Sequence, residues 1–447
     1  MFVLLGVLAV LIAAALPQRG QTLDVAVFGQ PVDELWVLLC AALVFFMQAG
    51  FLTFEVGLAR REHATAVAMK NLIDWTVGSL AFFFVGFGLM FGSGSVLGTD
   101  FFLLDGIFDV SGTVSGPTFF LFQLAFAGTA ITLISGSLVE RTSFLAYVIV
   151  SAVVGLLIYP VYGHWVWSGL FVEGNDGWLA EQGFRDFAGG TVVHTTGAWA
   201  ALVGVVMVGP RIGRFRPNGS VRAFEPSSIP LTALGTLILW FGWFGFNGGS
   251  GLALTADVPR IILVTNLSGV AGLLGAALYA YLIEDRVDMI GKMIGGAISG
   301  LVAITAGADV VTPLGAIAIG LIAGVLYDLG YEALLRLKVD DALGVVPAHG
   351  IAGAWGTIAV AIFAPSAVLG RSNIEQLGIQ AFGVFVNIAW VVSTSFIVFW
   401  VLKRTIGLRV SPVREQQGVD LESDDLPVGL VLGGSEITDD ELAELLD

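Results

Sequence analysis

Apolar and polar positions alternate along this chain in long blocks, not residue by residue. Apolar runs long enough to cross ~30 Å of hydrocarbon as helices fall at about 34–58, 72–93, 117–138, 143–164, 187–208, 229–248, 260–282, 289–308, 312–335, 345–364 and 377–402. Eleven spans and an all-α membrane fold follow, because a segment in lipid must satisfy its backbone hydrogen bonds internally. The polar connections test the count. Of the 20 Lys and Arg residues, 16 fall on alternate connections and helix ends, Arg60, Arg141, Arg211 and Arg409 among them. Only Arg19, Arg185, Arg260 and Arg371 fall on the others. Basic residues gather on the cytoplasmic side, which puts the N-terminus outside and the C-terminus inside. An even number of spans would break this alternation.

The runs also repeat. The fifth carries His194-Thr-Thr-Gly-Ala-Trp199 and the tenth His349-Gly-Ile-Ala-Gly-Ala-Trp355. The first holds Phe45-Phe-Met-Gln-Ala-Gly50 and the sixth Trp243-Phe-Gly-Phe-Asn-Gly248. Two five-span units, about 34–208 and 229–364, must lie upside down relative to one another because five is odd. Inverted repeats with a midplane site are a common transporter architecture. The eleventh span, 377–402, is left to pack across both. Each unit sets a carboxylate eight residues before its histidine, Asp186 before His194 and Asp341 before His349. At a helical rise that is ~12 Å of depth, so the histidines approach the midplane from opposite faces, with Pro347 distorting the second approach. Ionisable rings at such depth are functional candidates by default. Two imidazoles together can share one proton.

Composition agrees: 56% of residues are hydrophobic and 13% charged, against roughly 25% charged in soluble domains. The 59 glycines suit closely packed membrane helices. One cysteine, Cys40, permits no intrachain disulfide. The net charge of −16 is concentrated at the end, where residues 412–447 hold 11 acidic residues and one Arg; this balance disfavours nucleic acid as a partner. Residues 1–30 read as a signal peptide or an N-terminal apolar segment, with Ala13-Ala14-Ala15 as a small-residue cleavage site but no basic residue in front. Residues 31–410 form the transmembrane domain and 411–447 an acidic cytoplasmic tail. In that tail 423–435 reads as a linker, and Thr438-Asp-Asp-Glu441 as a capping box opening a short helix. No HExxH, Walker A, CxxC or G-x-S-x-G stands where it could work, so no enzyme is expected, nor any metal or cofactor.

Taken singly, the candidate residues have ordinary readings. Asp186 can cap a helix N-terminus. Phe122 and Phe126 lie one turn apart, as core aromatics do. Trp167 follows an outer helix end, where Trp often anchors to the interface. Glu55, Asn71, Asp74, Asn266 and Asn387 read as interhelical hydrogen-bonding groups. His63 and His164 read as surface residues.

Taken together they resemble a family. Asp186-Phe-Ala-Gly-Gly-Thr-Val-Val-His194 is similar to the signature of ammonium transporters (Amt/Mep/Rh), of the Amt type. Gln48-Ala-Gly-Phe51, Val139-Glu-Arg141, Trp243-Phe-Gly-Phe-Asn247, Ala348-His-Gly350 and Gly407-Leu-Arg-Val410 follow in the family's order, over nearly the whole chain. The resemblance implies eleven helices in an inverted repeat, one pore per subunit, a homotrimer in the cell membrane and ammonium or ammonia as substrate. It implies that Phe122, Trp167 and Ser250 recruit the cation, and that Phe126 and Phe246 gate the pore. It makes His194 and His349 the pore-lining pair and proton relay, and Asp186 an acid needed for transport. A P-II type regulatory protein is a partner of some relatives, but their His-Gly-Glu element is replaced here by Leu421-Glu-Ser-Asp-Asp-Leu after Asp420. An ammonium sensor of the same fold and a neutral gas channel are the alternatives. No kinase or cyclase segment lies within 411–447, and a metal-dependent membrane enzyme lacks a third ligand at helical spacing.

Overall fold

A computed structural model of the protein describes residues 31–110, 112–283 and 289–419. The segment before Pro31, the linker 423–435 and the capping box at Thr438 lie outside the described residues. The apolar runs become eleven helices: α1 Pro31–Leu58, α2 Arg61–Phe91, α3 Gly116–Leu138, α4 Phe144–Leu170, α5 Gly190–Val208, α6 Ile229–Gly248, α7 Val258–Leu282, α8 Met289–Thr305, α9 Pro313–Arg336, α10 Val346–Phe363 and α11 Asn373–Thr405. Ten are long and apolar enough to cross a membrane, and α8 is a shorter apolar helix of 17 residues. Their starts follow local chemistry. The hydroxyls of Ser143, Ser228, Thr312 and Ser372 accept from the first-turn amides of α4, α6, α9 and α11, as N-caps do. Proline stands in the first turn of α3, α6, α7 and α9, where its missing N–H costs nothing.

Small residues let the helices close on one another. α1 and α6, the first helix of each repeat, meet where a Cβ on Gly235 would stand 2.5 Å from the Phe54 amide and one on Gly242 2.1 Å from Met47. In the second repeat, a Cβ on Gly324 of α9 would stand 2.0 Å from the Gly272 carbonyl of α7, and one on Gly300 of α8 2.2 Å from that of Ser268. α11 spans both repeats. Its Asn387 donates to Thr196 at 2.9 Å and accepts from Thr195 at 2.6 Å in α5. Trp390 donates to the Ile158 carbonyl of α4 at 2.9 Å, and Gln380 to that of Thr357 in α10 at 2.9 Å. Glu55, Asn71, Asp74 and Asn266 also pair between helices. Asn71 donates to Glu55 at 2.9 Å, Tyr147 to Asp74 at 2.5 Å and Trp240 to Asn266 at 3.1 Å.

The ion pairs gather towards the two ends of the bundle. At one end Glu140 receives Arg60 Nε at 2.8 Å and Arg211 at 3.2 Å. Asp340 receives Arg211 Nε at 2.8 Å and Arg214 at 3.3 Å. A short helix after α11, Pro412–Gln417, brings Glu415 to the same cluster, where it receives Arg409 Nε at 2.8 Å and the Ile212 amide at 2.7 Å. Burial pushes the carboxyls of Glu140 and Asp340 up, but the guanidinium groups beside them, Arg211 foremost, prevail and hold both below the usual range. At the other end Arg185 meets Asp309 at 2.7 Å and Arg371 donates to the Gln182 carbonyl at 3.0 Å.

Two expectations of surface exposure are corrected. His164 is fully buried, its ring nitrogens each 2.9 Å from a carbonyl, those of Met90 and Gly94. The connection leaving α2 folds back over the end of α4 and covers it. His63 is fully buried too, and the Val419 amide of the C-terminal segment lies 3.3 Å from its Nδ1. Helix-end position predicts exposure only where no loop returns over the end.

Candidate functional site

The site begins at the start of α5. Gly189 has a left-handed backbone, φ 102°, which a glycine takes without strain. The chain turns there so that successive amides point back at Asp186. Its buried carboxylate accepts from the amides of Gly189 at 3.1 Å, Gly190 at 2.6 Å, Thr191 at 2.8 Å and Val192 at 2.8 Å, and from the Thr191 hydroxyl at 2.5 Å. These are the donors that a helix start leaves unsatisfied. Asp186 therefore lies before the helix, not in it, and α5 opens at Gly190 instead of 187.

The first turn of α5, Gly190–Thr195, is a π turn that carries His194. α10 opens the same way, with the π turn Val346–Ile351 carrying His349. Asp341 answers Asp186, accepting from the Val346 amide at 2.7 Å and from Ser137 Oγ at 2.8 Å. The depth of ~12 Å below each carboxylate assumed α-helical rise throughout, which neither approach keeps. Wide turns of this kind recur where helices serve a site; each repeat has one at its histidine, and Phe82–Gly86 of α2 and Val154–Ile158 of α4 carry two more.

The rings meet. His194 Nδ1 lies 3.3 Å from His349 Nδ1, with centroids 5.3 Å apart. Two like nitrogens make that bond only if one carries the proton and the other accepts it. His194 Nε2 is buried and has no hydrogen-bond partner among the described residues. The ring stacks on Trp243 at 5.2 Å and on Phe246 at 5.3 Å. Trp243 is anchored by its Nε1 donating to Thr305 at 3.0 Å. Phe246 in turn stacks on Phe126 at 4.0 Å and 23°, and Phe122 stands 4.7 Å from Phe126. Trp167 completes the group 6.1 Å from Phe126, its Nε1 donating to the Asp186 carbonyl at 2.7 Å. It is 5% exposed, so it packs inside the bundle and is not an interfacial anchor. Ser250 Oγ donates to the Phe246 carbonyl at 2.7 Å, which leaves its lone pairs for another donor.

The contacts run in series: Trp167 and Phe122 meet Phe126, Phe126 stacks on Phe246 beside Ser250, and His194 and His349 follow in one column. Beyond His349 a narrow, mainly apolar cavity runs on, lined by Phe51, Leu133, Ile298, Val345 and the carboxylate of Glu55. Aromatic faces attract a cation, whereas an apolar cavity passes a neutral molecule at far less cost than an ion. Two residues of the column escape the sequence reading. Trp243 contacts His194 directly, although its Gly-rich run signals only close packing. Glu55 lines the cavity, and its one signal is a carboxylate placed within an apolar run.

Comparison with known proteins decides the family. The model of the Ammonium Transporter Family matches residues 35–425. The chain belongs to the ammonium transporter family. Ammonium transporter Amt2 of Archaeoglobus fulgidus is 41% identical over 447 residues, covering 94% of this chain and 92% of the relative. A putative ammonium transporter of Synechocystis sp. is 43% identical, covering 87% of this chain and 73% of the relative. Among solved structures, one described as a sensor Amt protein superposes with a TM-score of 0.86 at 41% identity, covering 87% of this chain and 97% of that one. Saccharomyces cerevisiae Mep2 does so with a TM-score of 0.78 at 26% identity, covering 88% and 90%. This is a multi-pass membrane protein with the ammonium transporter fold, and its family supports ammonium transport.

Proposed function

We propose that the column is the transport path, and that ammonium crosses it as ammonia with its proton carried separately. The cation is recruited between Trp167, Phe122 and the Ser250 hydroxyl, where π faces and an acceptor replace water. It loses a proton at the phenyl pair Phe126–Phe246, and ammonia continues along the histidines. His194 and His349 relay the proton, because their shared hydrogen bond lets one nitrogen release as the other accepts. That 3.3 Å contact within the column is the observation that carries the reading. Deprotonation also explains selectivity: a potassium ion of similar size has no proton to lose and must face low dielectric as an ion.

The test is current. Purified protein in liposomes should give an inward current on an ammonium pulse, and replacing both histidines (His194→Leu with His349→Leu) should abolish it. Undiminished current in the double variant overturns the relay. A second reading, an ammonium receptor, draws on the 41% identity to the sensor Amt protein. A receptor that does not conduct gives no current in the same experiment, and a neutral gas channel moves ammonia without current.

The same proposal places the protein in the cell membrane as a homotrimer, the arginine-rich end and the tail 411–447 in the cytoplasm and the recruitment group outside. It takes 31–410 as the transporting domain. The gathering of 16 of the 20 basic residues on alternate connections supports the orientation. A P-II type regulator at the cytoplasmic face remains a family expectation, against which the departure after Asp420 counts.

A further inference from the structure

Among the residues lining the cavity beyond His349, Glu55 is the one that bears a carboxyl group. Glu55 belongs to α1, lies one turn before its end and is 3% exposed. Asn71 Nδ2 at 2.9 Å and Ser135 Oγ at 2.8 Å both donate to the same oxygen, Oε2. Oε1 receives no hydrogen bond among the described residues. It faces Gly136, where a Cβ would stand 3.4 Å away, and Gly136 lines the cavity together with Glu55 and His349. The nearby ammonium group, Lys70 Nζ, donates to the Thr142 carbonyl at 2.8 Å, and no ion pair joins any cation to Glu55 among the described residues. Asp74 and Asp309 also leave one oxygen without a hydrogen bond, but neither lines this cavity, whereas Glu55 and His349 both do. Here one oxygen is fixed by two donors and the other faces Gly136 at the wall of a cavity that also reaches His349. The two donors orient the group, and the glycine keeps the space in front of it open.

We propose that Glu55 is the inner site of the path, the group on which ammonia regains its proton and on which the ammonium ion is briefly held. This rests on the reading that the column carries ammonia and a proton separately. The step balances. Ammonia's lone pair takes the proton of the Glu55 carboxyl; the O–H bond breaks, an N–H bond forms, and an ammonium ion faces a carboxylate. The ion leaves by the end of the path away from the phenyl pair. The carboxylate then takes up the proton delivered through His194 and His349, so that one ammonium ion crosses in each cycle. The site takes a small neutral N–H base and holds it as its monovalent cation.

Two substitutions separate this role from a structural one. Glu55→Gln keeps the chain length and a carbonyl oxygen for Asn71 and Ser135, so it preserves the scaffold and removes the acid. Glu55→Asp keeps the acid but is shorter, so it strains the scaffold. Ammonium-evoked current in proteoliposomes and melting temperature in detergent are measured for both and for the wild type. The expected result is a Gln variant that melts like the wild type and loses current by about tenfold or more, with an Asp variant that melts lower yet carries more current than Gln. A Gln variant whose current equals or exceeds that of Asp overturns the assignment, because a purely structural role gives that order. A wild type without ammonium current defeats the transport reading itself, and this inference with it, before the variants are compared.

Discussion

At the scale of single residues, position 186 shows how a buried carboxyl group can be satisfied inside a membrane protein without an ion pair. Four amides and a hydroxyl converge on Asp186, and the partial positive charge of the α5 start lies on the same side. Asp186→Asn presents an NH2 group to some of those donors. With one or two left unmatched at roughly 1–3 kcal/mol each, the variant should unfold at a lower temperature, which a thermal melt in detergent reads directly. Trp167→Phe is the milder companion. It keeps an aromatic face but removes the bond to the Asp186 carbonyl and part of a buried ring, so stability should fall by about 1–3 kcal/mol. Under the proposed recruitment role, the ammonium concentration for half-maximal current should rise while the maximal current changes less.

At the scale of helices, close approach and not side-chain bulk fixes the arrangement. Gly324→Ala puts a methyl where only 2.0 Å separates it from the Gly272 carbonyl; α7 and α9 must part, at a cost of about 1–3 kcal/mol or more. Gly378 in α11 has open space where a Cβ would go, so Gly378→Ala should be neutral or stabilising, by up to about 1 kcal/mol of helix propensity. Comparing the two melts tests whether packing or propensity governs. Element existence was legible in the sequence because apolar blocks and the alternation of arginines are both one-dimensional signals. The paired histidines were legible for a related reason: repeats copy spacing, and Asp186–His194 and Asp341–His349 share theirs. The π turns were not legible, because the same residues satisfy a helix of either pitch and the choice is made by what the turn packs against. Burial of His63 and His164 was missed because it depends on loops that return from elsewhere in the chain. Trp243 was missed because a ring's partner across a bundle leaves no local trace.

For the whole molecule, the two ends are unlike. One gathers arginines on Glu140, Asp340 and Glu415 and around the Phe224 ring, with Arg60 at 4.7 Å and Arg211 at 4.8 Å from its centroid. These contacts tie the connections after α1, α3, α5 and α9 to the segment following α11. The carboxyls of Glu140 and Asp340 are held below their ordinary values of 4.5 and 3.8. The unfolded chain therefore binds their protons at higher pH than the folded protein does. Their contribution is complete above those ordinary values and disappears as pH falls through the depressed folded ones. Melting temperature should accordingly be flat from neutral pH to about 5 and then drop steeply, and Glu140→Gln should start lower and drop less. The opposite end, with Arg185 on Asp309 at 2.7 Å and partly exposed, should contribute little to that slope.

The stacked phenyls at 4.0 Å have a consequence in time. Two rings in face contact leave no standing opening, so on the proposed path they act as a door with a frequency and not as a hole with a width. Each passage waits for a ring to swing against the wall formed by Phe122, Trp167 and His194. Throughput would then follow the rate of that swing and rise with temperature more steeply than flow through standing water.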